Sequence, residues 1–212
     1  GLKEKDIVLQ VSKRLAKVLA ERGYEVRMTR TTDTLIDLDD RGHLANEWRG
    51  GRPGLFLSVH ANGVWDRRAT GFETFFLSEA RTEDERRVEE MENAAVAYEG
   101  NARVAADDDL GLILNGLRND FYIRASHSLA GLVQNEFKEF HTGVNRGVKQ
   151  AGFRVLVRAF MPAVLIELAF VSNPSEERML GSGRFQVEAA QGIADAVDRF
   201  FEAHPDWTGA TP

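Results

Sequence analysis

The stretch Pro162-Ala163-Val164-Leu165-Ile166-Glu167-Leu168-Ala169-Phe170-Val171-Ser172-Asn173-Pro174 decides the fold of this chain. Its apolar part predicts a strand buried on both faces, as in a parallel sheet covered by helices. One carboxylate, Glu167, interrupts it, and a buried carboxylate needs a cation, hydrogen-bond donors or a proton. Two interpretations stay open. Glu167 either pairs with an arginine and only stabilises the fold, or it is a catalytic group at the C-terminal edge of the sheet.

Helical and strand patterns alternate along the rest of the chain. Apolar residues at helical spacing predict a first helix at residues 4–22 and a closing helix at 185–201. Between them, strand patterns and further helical patterns follow one another with short connections. The predicted strands are 24–29, 55–60, 71–77 and 153–156, and the predicted inner helices are 35–48, 79–99 and 110–140. We therefore predict an α/β fold, a three-layer sandwich with a mostly parallel sheet covered by helices on both faces.

Length and composition limit the function classes. A chain of 212 residues suits a single domain, here residues 1–204 followed by a flexible tail at 205–212. The net charge of -6 argues against non-specific binding to nucleic acid, which requires a basic surface. The absence of cysteine excludes disulfides and thiolate metal sites. No apolar stretch approaches the length of a membrane span.

Three side chains suggest a metal site. Glu4 continues the apolar face of the first helix, although an acid in the first turn also simply complements the helix dipole. His60 ends a predicted strand, where a lone histidine is more often structural. A carboxylate and an imidazole at one sheet edge would make a plausible zinc pair. A further carboxylate such as Glu167 would then take a proton from water. The residues alone thus favour a metallohydrolase only weakly.

A series of sequence runs carries a more specific signal. The clearest are Phe56-Leu57-Ser58-Val59-His60-Ala61-Asn62 and Pro162-Ala163-Val164-Leu165-Ile166-Glu167. The others are residues 1–6, 26–30 with Asp33, 71–73, 128–130, 147–149, 153–156 and 172–176, with single matches at Leu38, Arg41, Ala45, Asn46 and Phe170. Together they resemble the zinc-dependent N-acetylmuramoyl-L-alanine amidases of bacterial cell-wall turnover and cell separation. The resemblance covers nearly the whole chain outside residues 79–122.

This resemblance implies an activity and roles for particular residues. Glu4 and His60 would be zinc ligands, and Glu167 would be the catalytic carboxylate. The reaction would cleave the amide bond between N-acetylmuramic acid and L-alanine in peptidoglycan, in the periplasm or at the cell wall. The remaining site candidates are Asn62, Arg30 and Arg41, as substrate-binding or supporting groups.

One departure from the family pattern concerns the third zinc ligand. The family has a further histidine in a His-Gly-Gly turn after a first strand, so we expect this ligand upstream of Gly1. His127 and His141 are poor substitutes, because they lie in a helical region with no metal-like spacing to His60. Two alternative functions therefore remain: a catalytically silent peptidoglycan-binding domain, and a zinc peptidase of related fold.

Residues 79–122 form a charged helical insertion. Regulated members of the resembled family carry an insertion there, whose helix covers the active site and lends a glutamate to the zinc. Glu89, Glu90 and Glu92 are the candidates for that glutamate. An activator protein would then act on the insertion. The alternative is a solvated charged helix that shapes the substrate groove.

Overall fold

A four-stranded sheet forms the centre of the computed structural model, which describes residues 1–99 and 109–207, the stretch 109–120 by its backbone. The strand order is β1-β4-β2-β3. β1 and β4 are parallel, β2 and β3 are parallel, and β2 meets β4 antiparallel. The mostly parallel sheet is therefore confirmed. The strands are β1 (Phe56–Asn62), β2 (Phe72–Leu77), β3 (Asn145–Ala151) and β4 (Ala163–Phe170).

Three long helices cover one face of the sheet. Alternation along β4 turns Ile166 and Leu168 toward this face, where they pack with Val11, Leu129 and Ile193 in the larger apolar core. These helices are α1 (Glu4–Glu21), α4 (Asp109–Phe137) and α7 (Gly183–Ala203). The predicted first and closing helices are thus confirmed.

Shorter helices cover the opposite face, which carries the odd-numbered residues of β4. Leu165 packs there with Leu38, Phe75, Val88 and Phe153 in a second apolar core. The helices on this side are α2 (Leu38–Arg49), α3 (Glu83–Asn93) and α5 (Arg154–Val157). Cores on both faces of one sheet confirm the three-layer sandwich. The remaining helical elements are α6 (Pro174–Leu180), after β4, and 3-10 turns at Ala94–Tyr98 and Pro205–Trp207.

Three segments differ from the strand predictions. Residues 153–156 were predicted as a strand, but Arg154–Val157 form a helical turn whose first amide donates to Asn93 Oδ1 at 2.9 Å. Residues 24–29 have no regular secondary structure and pair with no strand among the described residues. β3 was not predicted, because its polar sequence shows little apolar alternation and its structure depends on the ladder with β2. Short apolar runs do not separate strand from helix, so tertiary pairing decides.

Parts of the predicted insertion and tail lie outside the described residues, at 100–108 and 208–212. Within the tail, Trp207 stacks on Phe121 with 5.4 Å between ring centroids. Across the described ranges, no helix has the length and hydropathy needed to cross a bilayer.

Candidate active site

Strand register brings three ionisable side chains into one row across the sheet. His60 of β1 lies opposite Glu167 of β4, and Glu167 lies opposite Glu73 of β2. Adjacent strands are about 4.8 Å apart, so the row extends roughly 10 Å. It lies on the face covered by α2, α3 and α5, at the C-terminal ends of β1 and β4.

His60 is held between two carboxylates. Its Nδ1 lies 3.1 Å from Glu4 Oε1 and 2.8 Å from Glu92 Oε2, while its Nε2 lies 3.0 Å from Ser58 Oγ. Glu4 reaches this place because α1 begins beside the end of β1, where the Ala61 amide also donates to Glu4 Oε1. Burial disfavours the charged imidazole, but Glu92 and Glu4 outweigh burial and raise the pKa of His60 well above its usual value.

Helix α3 delivers Glu92 to this site. Thr82 and Glu85 form a capping box at its first turn, and the buried Val88 anchors it in the second core. Of the three predicted glutamates, Glu92 alone contacts His60 among the described residues. Glu89 instead accepts from the Gly152 amide at 3.0 Å, and Glu90 is exposed.

The cluster of Glu4, His60 and Glu92 fits a small divalent cation. One ligand atom of each residue lies within 4.8 Å of the other two. Ligands in a tetrahedral zinc site stand about 3.3 Å apart, given metal–ligand distances near 2.0 Å. The separations of 2.8 and 3.1 Å between His60 Nδ1 and the two carboxylate oxygens are close to this spacing. Imidazole and carboxylate are also donors that zinc accepts.

Glu167 is fully buried, and neither of its carboxylate oxygens has a hydrogen-bond partner among the described residues. The interpretation in which Glu167 pairs with an arginine is therefore wrong for the described residues. Burial, followed by the nearby Glu92, raises the pKa of Glu167 well above its usual value. A cation bound beside it would lower that pKa again and favour the carboxylate form.

Glu73 is a site residue that the sequence analysis missed. It is fully buried, and its oxygens accept from Asn62 Nδ2 at 2.7 Å, Arg146 Nε at 2.9 Å and Lys149 Nζ at 2.6 Å. Asn62, predicted as a substrate-binding or supporting group, thus supports Glu73. The missed signal was present, because Glu73 is a lone carboxylate in an apolar strand, as Glu167 is.

Arg30 and Arg41, the two remaining predicted site residues, lie near the cluster of Glu4, His60 and Glu92. Arg30 donates to the Lys5 carbonyl at 2.8 Å, and Arg41 donates to the Ile36 carbonyl at 3.0 Å. Burial lowers the pKa of Arg41. Both arginines line a cavity of about 1090 Å³ that also reaches Glu4, His60 and Glu92.

The two other histidines considered as ligands lie apart from the cluster. His141 uses both ring nitrogens, since Nε2 donates to the Leu168 carbonyl at 3.0 Å and Nδ1 accepts from the Gly143 amide at 2.9 Å. Burial lowers its pKa to about 4. His127 packs edge-on against Phe76, with ring centroids 5.2 Å apart.

Comparison with known proteins shows the family to which this chain belongs. A family model described as Amidase_3, N-acetylmuramoyl-L-alanine amidase, matches residues 1–199. The chain belongs to this amidase family. It is accordingly a peptidoglycan hydrolase of the N-acetylmuramoyl-L-alanine amidase type, as the resemblance in its sequence runs implied.

Curated relatives and solved structures agree with this assignment. The chain is 34% identical to N-acetylmuramoyl-L-alanine amidase AmiA of Escherichia coli (strain K12) over 203 residues, which are 95% of this chain and 69% of AmiA. It is 32% identical to AmiC of Neisseria meningitidis serogroup B, covering 94% of this chain and 48% of that protein. The amidase structure from Clostridium difficile 630 superposes with a TM-score of 0.69 at 28% identity, covering 96% of this chain and 86% of that one.

Proposed function

We propose that this amidase hydrolyses the bond between N-acetylmuramic acid and L-alanine with a zinc ion held by Glu4 and His60 and with Glu167 as the proton carrier. The observation that carries the proposal is the fully buried Glu167, whose two free oxygens lie one strand away from His60. An amidase needs a group there that accepts and returns a proton. A carboxylate already bound to an arginine would be a weaker base.

The residues divide the work of the reaction. A zinc ion bound at Glu4 and His60 would supply Lewis-acid polarisation of the amide carbonyl and activation of water. Ser58 orients the His60 ring through Nε2, and the Ala61 amide orients Glu4. Glu167 takes a proton from the attacking water and passes it to the departing amine of L-alanine. Glu73 stays bound to its cations and holds Asn62 beside the row.

We further propose that Glu92 is an inhibitory ligand. The Glu92 carboxylate lies 2.8 Å from His60 Nδ1, closer than the Glu4 carboxylate at 3.1 Å. It would therefore be within reach of a zinc ion held by Glu4 and His60. Substrate would bind only after α3 withdraws, which an activator protein acting on residues 79–122 would promote. The domain would then be residues 1–204 with a regulatory insertion, working on peptidoglycan in the periplasm or outside the cell.

The decisive experiment measures zinc content and muropeptide hydrolysis together. Both are determined on this chain and on a version extended upstream by its native sequence, where the resemblance predicts a third ligand. The matched variants are His60→Ala and His127→Ala. We expect the extended form to hold about one zinc per protein and to release intact stem peptide. His60→Ala should lose both the zinc and the hydrolysis, whereas His127→Ala should keep them.

Other outcomes would favour the alternative functions. Binding to peptidoglycan without zinc and without hydrolysis would indicate a silent binding domain. Zinc-dependent cleavage inside the stem peptide, rather than at the muramic acid, would indicate a peptidase.

A further inference from the structure

Helix α3 places a second carboxylate on the sheet, two turns before Glu92. Asp84 accepts from Arg146 Nη2 at 2.9 Å and forms a very short contact with Lys149 Nζ. Arg87, one turn later on the same helix, donates to Asp84 at 3.0 Å. Asp84 is thus a carboxylate of α3 that contacts the cations of β3, whereas Glu92 of the same helix contacts His60 of β1.

Arg146 and Lys149 belong to β3, and both also make contacts outside α3. Both bind the fully buried Glu73. Arg146 also lies over the Phe170 ring at 5.2 Å, and Lys149 lies 5.8 Å from the centre of the Phe75 ring. The partners in these contacts, Glu73, Phe75 and Phe170, belong to β2 and β4 and not to α3.

Helix α3 supplies one of the two carboxylates that both cations of β3 contact: Arg146 and Lys149 bind Glu73 of β2 and Asp84 of α3. Withdrawal of α3 removes Asp84 together with its helix partner Arg87, and the two cations then share the carboxylate of Glu73. The side chains of Arg146 and Lys149 are 26% and 14% exposed, so they would be reachable from solvent yet largely desolvated. A partly desolvated cation pair of this kind binds an anion strongly.

The distances match a peptide that extends from the metal site. Three strand spacings separate β1 from β3, which is about 14 Å. The eight-residue step from Asp84 to Glu92 corresponds to about 12 Å along a helix. An extended peptide covers this distance in roughly four residues, and in fewer when a side chain makes the last contact.

We propose that Arg146 and Lys149 form a binding site for a carboxylate of the stem peptide, and that Asp84 occupies this site while α3 covers the enzyme. The ligand is an acidic peptide whose scissile amide lies at His60 and whose free carboxylate lies at β3. This inference rests on the proposed function of the same site. It assigns substrate recognition to residues that take no part in bond cleavage.

Kinetics on a pair of substrates tests the site. Muropeptides with free stem carboxylates are compared with the same muropeptides in which those carboxylates are amidated. All proteins compared carry Asp84→Asn, so that they do not differ in how strongly Asp84 binds α3 to Arg146 and Lys149. Lys149→Gln removes one cation while Arg146 still pairs with Glu73. Arg87→Gln is the control, because Arg87 contacts Asp84 but lies on α3.

We expect Lys149→Gln to raise KM about tenfold for the acidic substrate, the loss of one charge-assisted contact, with little change in kcat. KM for the amidated substrate should stay within about twofold, as should both values for Arg87→Gln. An equal loss on both substrates would mean that Lys149 is only structural, and the inference would fail.

A binding measurement keeps this test separate from the proposed chemistry. The free stem peptide, in acidic and amidated forms, is titrated calorimetrically into Glu167→Gln with Asp84 present or changed to Asn. We expect the acidic form to bind more tightly and Asp84→Asn to strengthen that binding further. Equal binding of both forms overturns the site, even if hydrolysis is observed. A clear preference for the acidic form supports the site even if no hydrolysis is observed.

Discussion

Two fully buried glutamates face each other across β2 and β4, and their surroundings are opposite. Glu73 accepts from an amide, a guanidinium and an ammonium group. Glu167, its partner in register, has no hydrogen bond to either oxygen among the described residues. The first is a buried ion with its charge compensated. The second is a buried acid with raised pKa.

The difference separates stability from function. A carboxylate with compensating cations stabilises the arrangement around it, and removal of one partner leaves the others uncompensated. A buried carboxylate without partners costs stability and is a candidate for a chemical role. The comparison therefore predicts opposite consequences for the same substitution at the two positions.

The largest expected effect is that of Glu167→Gln on activity. Glutamine keeps the shape but cannot carry the proton, so we expect kcat/KM to fall about a thousandfold. The metal-free protein should keep its unfolding free energy within about 1 kcal/mol, because no hydrogen bond is lost. Muropeptide hydrolysis and denaturant unfolding measure the two quantities. A variant that keeps substantial activity would end the assignment of Glu167 as proton carrier.

Glu73→Gln should show the opposite pattern. It leaves Arg146 and Lys149 short of one negative charge, and we expect a loss of about 3 kcal/mol in unfolding free energy. Urea unfolding, with Glu167→Gln as the matched control, measures this loss. If the two variants were equally stable, the contrast between the glutamates would have no energetic meaning.

Two histidines repeat the contrast, and the buried His141 gives a dependence on pH. His60 is held between carboxylates, whereas His141 is bonded to backbone groups with a pKa near 4. Between its ordinary pKa of 6.5 and about 4, the unfolded chain binds a proton that folded His141 does not. The unfolding free energy should therefore decrease as pH falls through this range, by up to about 3 kcal/mol.

Unfolding of the protein and of His141→Gln across pH 4–7 checks this sign. The variant should lose most of the slope that His141 contributes. His43→Gln, at an exposed position, is the control and should keep it. A slope that persists in His141→Gln would assign the pH dependence to other groups.

The smallest expected effect concerns α3. Glu92→Gln weakens the contact with His60, so we expect basal hydrolysis to rise about tenfold in the extended chain, the loss of one charged contact. Glu90→Gln, on the exposed side of the same helix, should leave the rate unchanged. Unaltered activity in Glu92→Gln would favour the alternative in which α3 only shapes the substrate groove.

The sequence by itself determined the class of fold and the central strand. Periodicity is a local property, so α1, α7, β1, β2 and β4 could be predicted from neighbouring residues. A lone carboxylate in an apolar run indicated that Glu167 is buried. The runs around His60 and Glu167 carried the family resemblance, which the family model over residues 1–199 confirmed.

Only the tertiary structure decided which charged groups meet. Glu89, Glu90 and Glu92 are equivalent in sequence, and the packing of α3 through Val88 selects Glu92. The contacts of Glu73 with Arg146 and Lys149 join residues more than seventy positions apart. Strand register and helix placement set such contacts, and both depend on burial and pairing across the whole sheet rather than on any local pattern.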